Sequence, residues 1–175
     1  MIEINTRETE PEVAALWDQA RALALQLPGG WVLVGGLMVQ LHALEAGLNA
    51  IRATTDIDVL GRARHPKNLE ELAATLERLD FKLGDPDQDG YSHRFEKGEL
   101  VVDLLAPDGL RRRVPITKTL STVGIPGGSQ ALSRAERVRV ITTGGSCELA
   151  RPSILGAVLI KARSLLVHRD PDTQL

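Results

Sequence analysis

The sequence predicts an α/β or α+β sandwich, a mixed β-sheet packed with helices, in one domain over residues 1–175. Two observations carry that expectation. Runs with apolar residues at three- and four-residue spacing are mixed with short, β-prone apolar runs. The chain of 175 residues, 43% hydrophobic and 25% charged, is long enough for one real core and shows no repeat, low-complexity tract or domain boundary.

Thr9 with Glu12 three residues later reads as a capping box, and Pro11 is tolerated in a first helical turn. Val13, Leu16, Trp17, Ala20, Leu23, Ala24 and Leu27 follow helical spacing until Pro28-Gly29-Gly30. Trp31 to Val34 is a buried strand, broken by Gly35-Gly36. A second helix carries Leu37, Leu41, Leu44 and Leu48 on one stripe, and a second strand runs from Asp56 to Leu60. A third helix spans Asn68 to Leu79, with Leu69, Leu72, Ala73, Leu76 and Leu79 inward. Phe81 and Leu83 flank Lys82 in a strand-like segment. Tyr91 to Glu96 and Leu100 to Leu105 form two strands joined by a turn at Lys97-Gly98. From Pro107 to Gly145 the expectation is loops plus one strand near Val138 to Thr142. A final helix starts near 152, with Ile154, Leu155, Val158, Leu159, Ala162, Leu165 and Leu166 as its apolar face.

Composition excludes more than it assigns. Aromatics are only 3%, so aliphatic side chains must fill the interior. A formal charge of −2 and a pI near 6.1 offer no global attraction to nucleic acid, so any RNA contact needs a local basic patch. Cys147 is the sole cysteine, which rules out an intramolecular disulfide, and nothing in the sequence suggests a cysteine-based metal site. The first residues lack a signal-peptide pattern and no apolar run approaches a membrane span, so the expected compartment is the cytoplasm, with no membrane partner.

Three features point to chemistry. Val34-Gly35-Gly36 is a glycine-rich turn from strand to helix, where backbone N–H groups can approach phosphate. In Thr55-Asp56-Ile57-Asp58, residues two apart on a strand share a face, which sets two carboxylates side by side. Such a pair repels unless a cation lies between, and all-oxygen ligation suits Mg²⁺. The alternative is a merely wetted acidic strand, against which stands the depletion of Asp in strands. Asp103 lies inside Leu100-Val101-Val102-Asp103-Leu104-Leu105, an apolar run in which an unpaired carboxylate is costly. It calls for a metal, an arginine partner or an exposed strand end. Asp103 locked to a guanidinium, or far from Asp56 and Asp58, would undo an enzymatic reading.

Val34-Gly35-Gly36, His42, Arg52-Ala53-Thr54-Thr55-Asp56-Ile57-Asp58 and Val102-Asp103-Leu104-Leu105 together resemble the DNA polymerase beta-type nucleotidyltransferase superfamily over roughly residues 30 to 170. Within it the sequence is most similar to the AbiEii-like branch, which includes toxins of type IV toxin–antitoxin systems. Nineteen residues separate Gly36 from Asp56, more than in the most compact members.

The resemblance implies a minimal nucleotidyltransferase fold. Asp56, Asp58 and Asp103 would be catalytic and metal-binding residues; Gly35, Gly36, Arg52, Thr55 and Lys161 would be nucleotide-binding. It also implies two Mg²⁺ ions about 3.5 to 4 Å apart, which would clamp an in-line displacement at the α-phosphate of a nucleoside triphosphate. Asp103 would be general base. The acceptor would be a hydroxyl, on RNA such as tRNA if the chain is a toxin with an antitoxin partner, otherwise on a small molecule or protein. A non-catalytic nucleotide-binding module and a metal-dependent nuclease are the rival readings.

Other motifs carry weaker expectations. Asp85-Pro86-Asp87-Gln88-Asp89-Gly90 with Glu96 matches a calcium-loop pattern but is flanked by strands, so it reads as a solvated hairpin loop. His42 is expected to pack or hydrogen-bond. Arg94 is expected to ion-pair with an acidic neighbour, and His93 lies beside the site. Arg111-Arg112-Arg113 is the only basic run, and Cys147 is expected to be a buried small hydrophobe.

Overall fold

The computed structural model describes residues 1–48, 54–62, 67–110 and 113–167. Helices α1 (Pro11–Ala24), α2 (Gly35–Glu45) and α3 (Asn68–Arg78) follow the periodic runs, except that α2 ends before Leu48, which is exposed rather than on the inward stripe. The Thr9 capping box does not form. Glu10 takes the N-cap position without a side-chain bond, and the Thr9 hydroxyl donates to the Thr6 carbonyl at 2.7 Å.

The larger sheet has the order β2 (Trp31–Leu33), β3 (Asp56–Gly61), β6 (Leu100–Pro107), β5 (Arg94–Lys97), β4 (Lys82–Leu83), with β9 (Gly124–Ile125) joining the end of β6. It is mixed: β3 and β6 run parallel, while β2/β3, β5/β6 and β4/β5 are antiparallel. The β5–β6 hairpin turns where the sequence predicts, with Lys97 paired to Leu100.

Between Pro107 and Gly145 there is more structure than expected. A short ribbon, β7 (Val114–Pro115) and β8 (Ser121–Thr122), precedes β9 and a short helix α4 (Gly128–Ser133). A long hairpin follows, β10 (Ala135–Thr142) and β11 (Gly145–Pro152). β1 (Ile2–Asn5) adds to β10 in parallel and completes a second, three-stranded sheet. β10 alternates buried Val138 and Val140 with exposed Arg137 and Arg139, as a sheet with one covered face requires.

The two faces of the β3–β6 pair pack against different clusters. Ile57, Val59, Val102, Leu104 and Ala106 face the main core, with Trp17 and Leu23 of α1 and Leu72 and Leu76 of α3. Leu60 and Leu105, on the opposite face, join a smaller cluster with Met38, Ala131, Ala157 and Ile160. Period-two alternation puts Asp56, Asp58 and Asp103 on this second face, in line with Leu60 and Leu105.

Helix α5 (Ile154–Val167) closes the second cluster, but not with the expected face. Ala157 and Ile160 point inward, whereas Ile154, Leu155, Val158 and Leu165 are 55–63% exposed. The reason is close approach. A Cβ on Gly127 would meet the Ile160 Cα at 3.1 Å, and one on Gly156 would meet the Pro152 Cβ at 3.1 Å. The helix seats through its small residues, and an apolar stripe on every side left its orientation open to sequence reasoning.

Candidate metal centre

Asp58 and Asp103 are register partners across the parallel β3–β6 ladder, and Asp56 lies level with Val101. Two sequence stretches thereby bring three carboxylates to one point: an oxygen from each of Asp56, Asp58 and Asp103 lies within 4.8 Å of those of the other two. Around an octahedral Mg²⁺ adjacent oxygens stand about 3 Å apart and opposed ones about 4.2 Å, and only one pair of three can be opposed, so the carboxylates would draw together to share an ion. The donor set, all carboxylate oxygen, fits a hard divalent cation.

Each carboxylate is held differently. The Thr54 hydroxyl donates to Asp56 Oδ1 at 2.8 Å. Gly36 donates its backbone N–H to the Asp58 carboxylate. A Cβ on Gly35, whose φ is +67°, would stand 1.6 Å from Asp58 Oδ2, and one on Gly36 would stand 2.4 Å from Thr54 Oγ1. The Gly-Gly turn is therefore closed over the side chains of Asp58 and Thr54. Lack of a Cβ is what admits Asp58.

Burial pushes the Asp58 carboxyl up to about 6, with repulsion from Asp56 and Asp103 adding to the rise. Lys161 of α5 and the Gly36 N–H pull in the opposite direction. The raised value is what a proton or a cation relieves.

Asp103 is 6% exposed and has a second claimant. Arg94, its partner across the β5–β6 hairpin, donates from Nε to Oδ1 and from Nη2 to Oδ2, both at 3.0 Å. The fork holds Arg94 firmly in its charged form. Of the two conditions that would undo the enzymatic reading, one is met, since Asp103 is locked to a guanidinium, and the other is not, since Asp103 lies with the Asp56 and Asp58 pair. The enzymatic reading loses its exclusive claim on Asp103, though not the convergence itself.

Gly35, Gly36, Asp56, Asp58 and Asp103 therefore gather at one place, with the Lys161 charge near enough to act on Asp58. Thr55 is exposed just before β3. Arg52 lies outside the described residues, as do Arg111 and Arg112. Sequence reasoning missed Thr54 and the identity of the Arg94 partner. The hairpin register carried the second, since Arg94 and Asp103 stand three residues either side of the Lys97–Leu100 turn pair.

The remaining motifs have structural partners. His42 Nε2 donates to the Pro152 carbonyl at 3.0 Å, and burial lowers its pKa. His42, Glu45 and Glu136 also cluster, but buried Arg151 already pairs with both glutamates, which removes the need for a cation. Asp87 turns its carboxylate onto the Asp89 and Tyr91 N–H groups, within the loop joining β4 and β5. Arg113 stacks 4.7 Å from the Tyr91 ring centroid. Cys147 is buried, and its thiol pKa is raised by that burial. No helix among the described residues is long and apolar enough to cross a membrane.

No protein-family model matches the chain, and no curated protein matches it. Among solved structures, the crystal structure of ANT(2")-Ia in complex with adenylyl-2"-tobramycin is similar at 16% identity, with a TM-score of 0.48, over 93% of this chain and 80% of that one.

Proposed function

We propose that the chain is a Mg²⁺-dependent nucleotidyltransferase, moving a nucleoside monophosphate from a nucleoside triphosphate to an acceptor hydroxyl. The observation that supports it most is the convergence of Asp56, Asp58 and Asp103 across one strand pair, on the face that Lys161 also reaches. Mg²⁺ bound there would hold the triphosphate and acidify the acceptor hydroxyl.

The chain's own residues supply the rest. Asp58 is fixed by the Gly35-Gly36 turn and Asp56 by Thr54, so both present preset oxygens. Lys161 adds positive charge for phosphate on the same side. Arg52 and Thr55 extend the nucleotide contacts, and Gly35 and Gly36 place the N-terminus of α2 beside it. Asp103 is the base in this scheme, and the acceptor's proton would pass to a carboxylate lone pair that the Arg94 fork leaves open.

An RNA acceptor such as tRNA, a toxin role, an antitoxin partner and a cytoplasmic setting extend this proposal on the strength of motif order alone. Incubation with each α-labelled triphosphate, Mg²⁺ and a cell extract tests it. Label entering RNA supports the toxin reading, and growth inhibition on expression should then be relieved by Asp56→Ala or Asp58→Ala. Label in a metabolite or protein would replace RNA with that acceptor. Label nowhere, or label that survives both substitutions, would refute the chemistry.

The Arg94 fork favours a second reading, a non-catalytic nucleotide-binding module in which Asp103 is structural. Triphosphate binding without any transfer of label would select it.

A further inference from the structure

We infer that Arg94 and a divalent cation compete for Asp103, so that Arg94 sets the cation concentration at which the centre fills; this rests on the metal-centre proposal above. A carboxylate offers about four lone-pair positions. A guanidinium fork bonded to both oxygens, each at 3.0 Å, takes two of those positions and holds the carboxylate charge that a cation would draw on.

The two partners differ in freedom. The Asp103 side chain is 9% exposed and set in the middle of β6, so it stays where it is. The Arg94 side chain is 48% exposed, so its guanidinium can swing into water with its charge solvated. Charge balance points the same way. With Arg94 in place, three carboxylates face Arg94 and Lys161, a formal −1. With Arg94 withdrawn the balance is −2, which one divalent cation cancels. Glu96 also draws on the Arg94 charge, so the released side chain keeps an acidic neighbour outside the centre. Arg94 is here a positioning residue that acts through Asp103.

Mn²⁺ binding, followed by water-proton relaxation without nucleotide, tests the exchange. Arg94→Gln should bind Mn²⁺ roughly fivefold more tightly than wild type, the factor that about 1 kcal/mol makes in a binding constant. Arg94→Lys, which keeps the charge but not the fork, should fall between, and it stands in if the Gln variant does not fold. The gain should vanish in an Asp103→Asn background. In wild type, the Arg94 Nε–H resonance should shift as Mg²⁺ is added. Equal or weaker Mn²⁺ binding by both Arg94 variants, with wild-type binding intact, overturns the competition alone, as does an unmoved Arg94 resonance at saturating Mg²⁺. No Mn²⁺ binding by any of the proteins overturns the metal centre together with it.

Discussion

Replacing Asp58 with Asn probes the site through folding stability, with no need to know the substrate. The Asp58 carboxyl stands at about 6 in the folded chain against an ordinary 3.8, because burial first and the Asp56 and Asp103 charges second disfavour its ionised form. A folded pKa above the unfolded one means that the folded state holds the proton more tightly. Its contribution is therefore complete below about pH 4 and is lost as pH rises through about 6. A gap of roughly two units, at about 1.36 kcal/mol each, makes ionised Asp58 cost on the order of 3 kcal/mol at neutral pH.

Asn keeps the shape and an acceptor for the Gly36 N–H while removing the charge. Urea unfolding in EDTA should find Asp58→Asn more stable than wild type at pH 7.5, by on the order of 1–3 kcal/mol. The difference should shrink steadily towards pH 4.5. Mg²⁺ at a hundredfold excess over its Kd should then add about 2.7 kcal/mol to wild type and far less to the variant. A variant less stable than wild type at pH 7.5, or a difference that ignores pH, would refute the claim that Asp58 is held under electrostatic strain.

Three further outcomes are expected. Gly35→Ala puts a methyl on Asp58 Oδ2 at a positive φ, and should cost about 2 kcal/mol or more in urea unfolding while weakening Mn²⁺ binding. Thr54→Val removes the donor to Asp56 Oδ1 and should weaken Mn²⁺ binding with a change in melting free energy of only about 1 kcal/mol, whereas Thr54→Ser should restore the binding. Arg151→Ala strips a fully buried guanidinium from Glu45 and Glu136 and should cost about 3 kcal/mol in urea unfolding, because the two acids lose their shared cation; their partial hydration keeps the loss from being larger.

The acidic site was legible because its parts obey local rules. Asp56 and Asp58 share a strand face by period two, and Asp103 betrays itself as a carboxylate in an apolar run. Helices α1 and α3 were legible for the same reason, an amphipathic stripe over a buried face. What escaped depends on pairing between distant stretches. β11 contains Gly145, Glu148, Ala150 and Pro152, poor strand formers that are extended because β10 lies beside them. β1 exists only because β10 accepts it. The inward side of α5 is chosen by the glycines facing it, and nothing in its own residues distinguishes that side.

The strand order also sets when the site can come into being. β1 meets β10 at the far end of the sequence, and the neighbouring Thr6–Ile141 bond closes a span of 135 residues. The β3–β6 ladder is parallel, so its two halves cannot zip from a shared turn. Topologies dominated by such distant pairings cross a high entropic barrier and fold slowly. A chain caught part-way, with its helices formed and β3 still apart from β6, has neither a place for a cation nor a clash of like charges. The acidic centre exists only once β3 and β6 have met, and it registers whether they have.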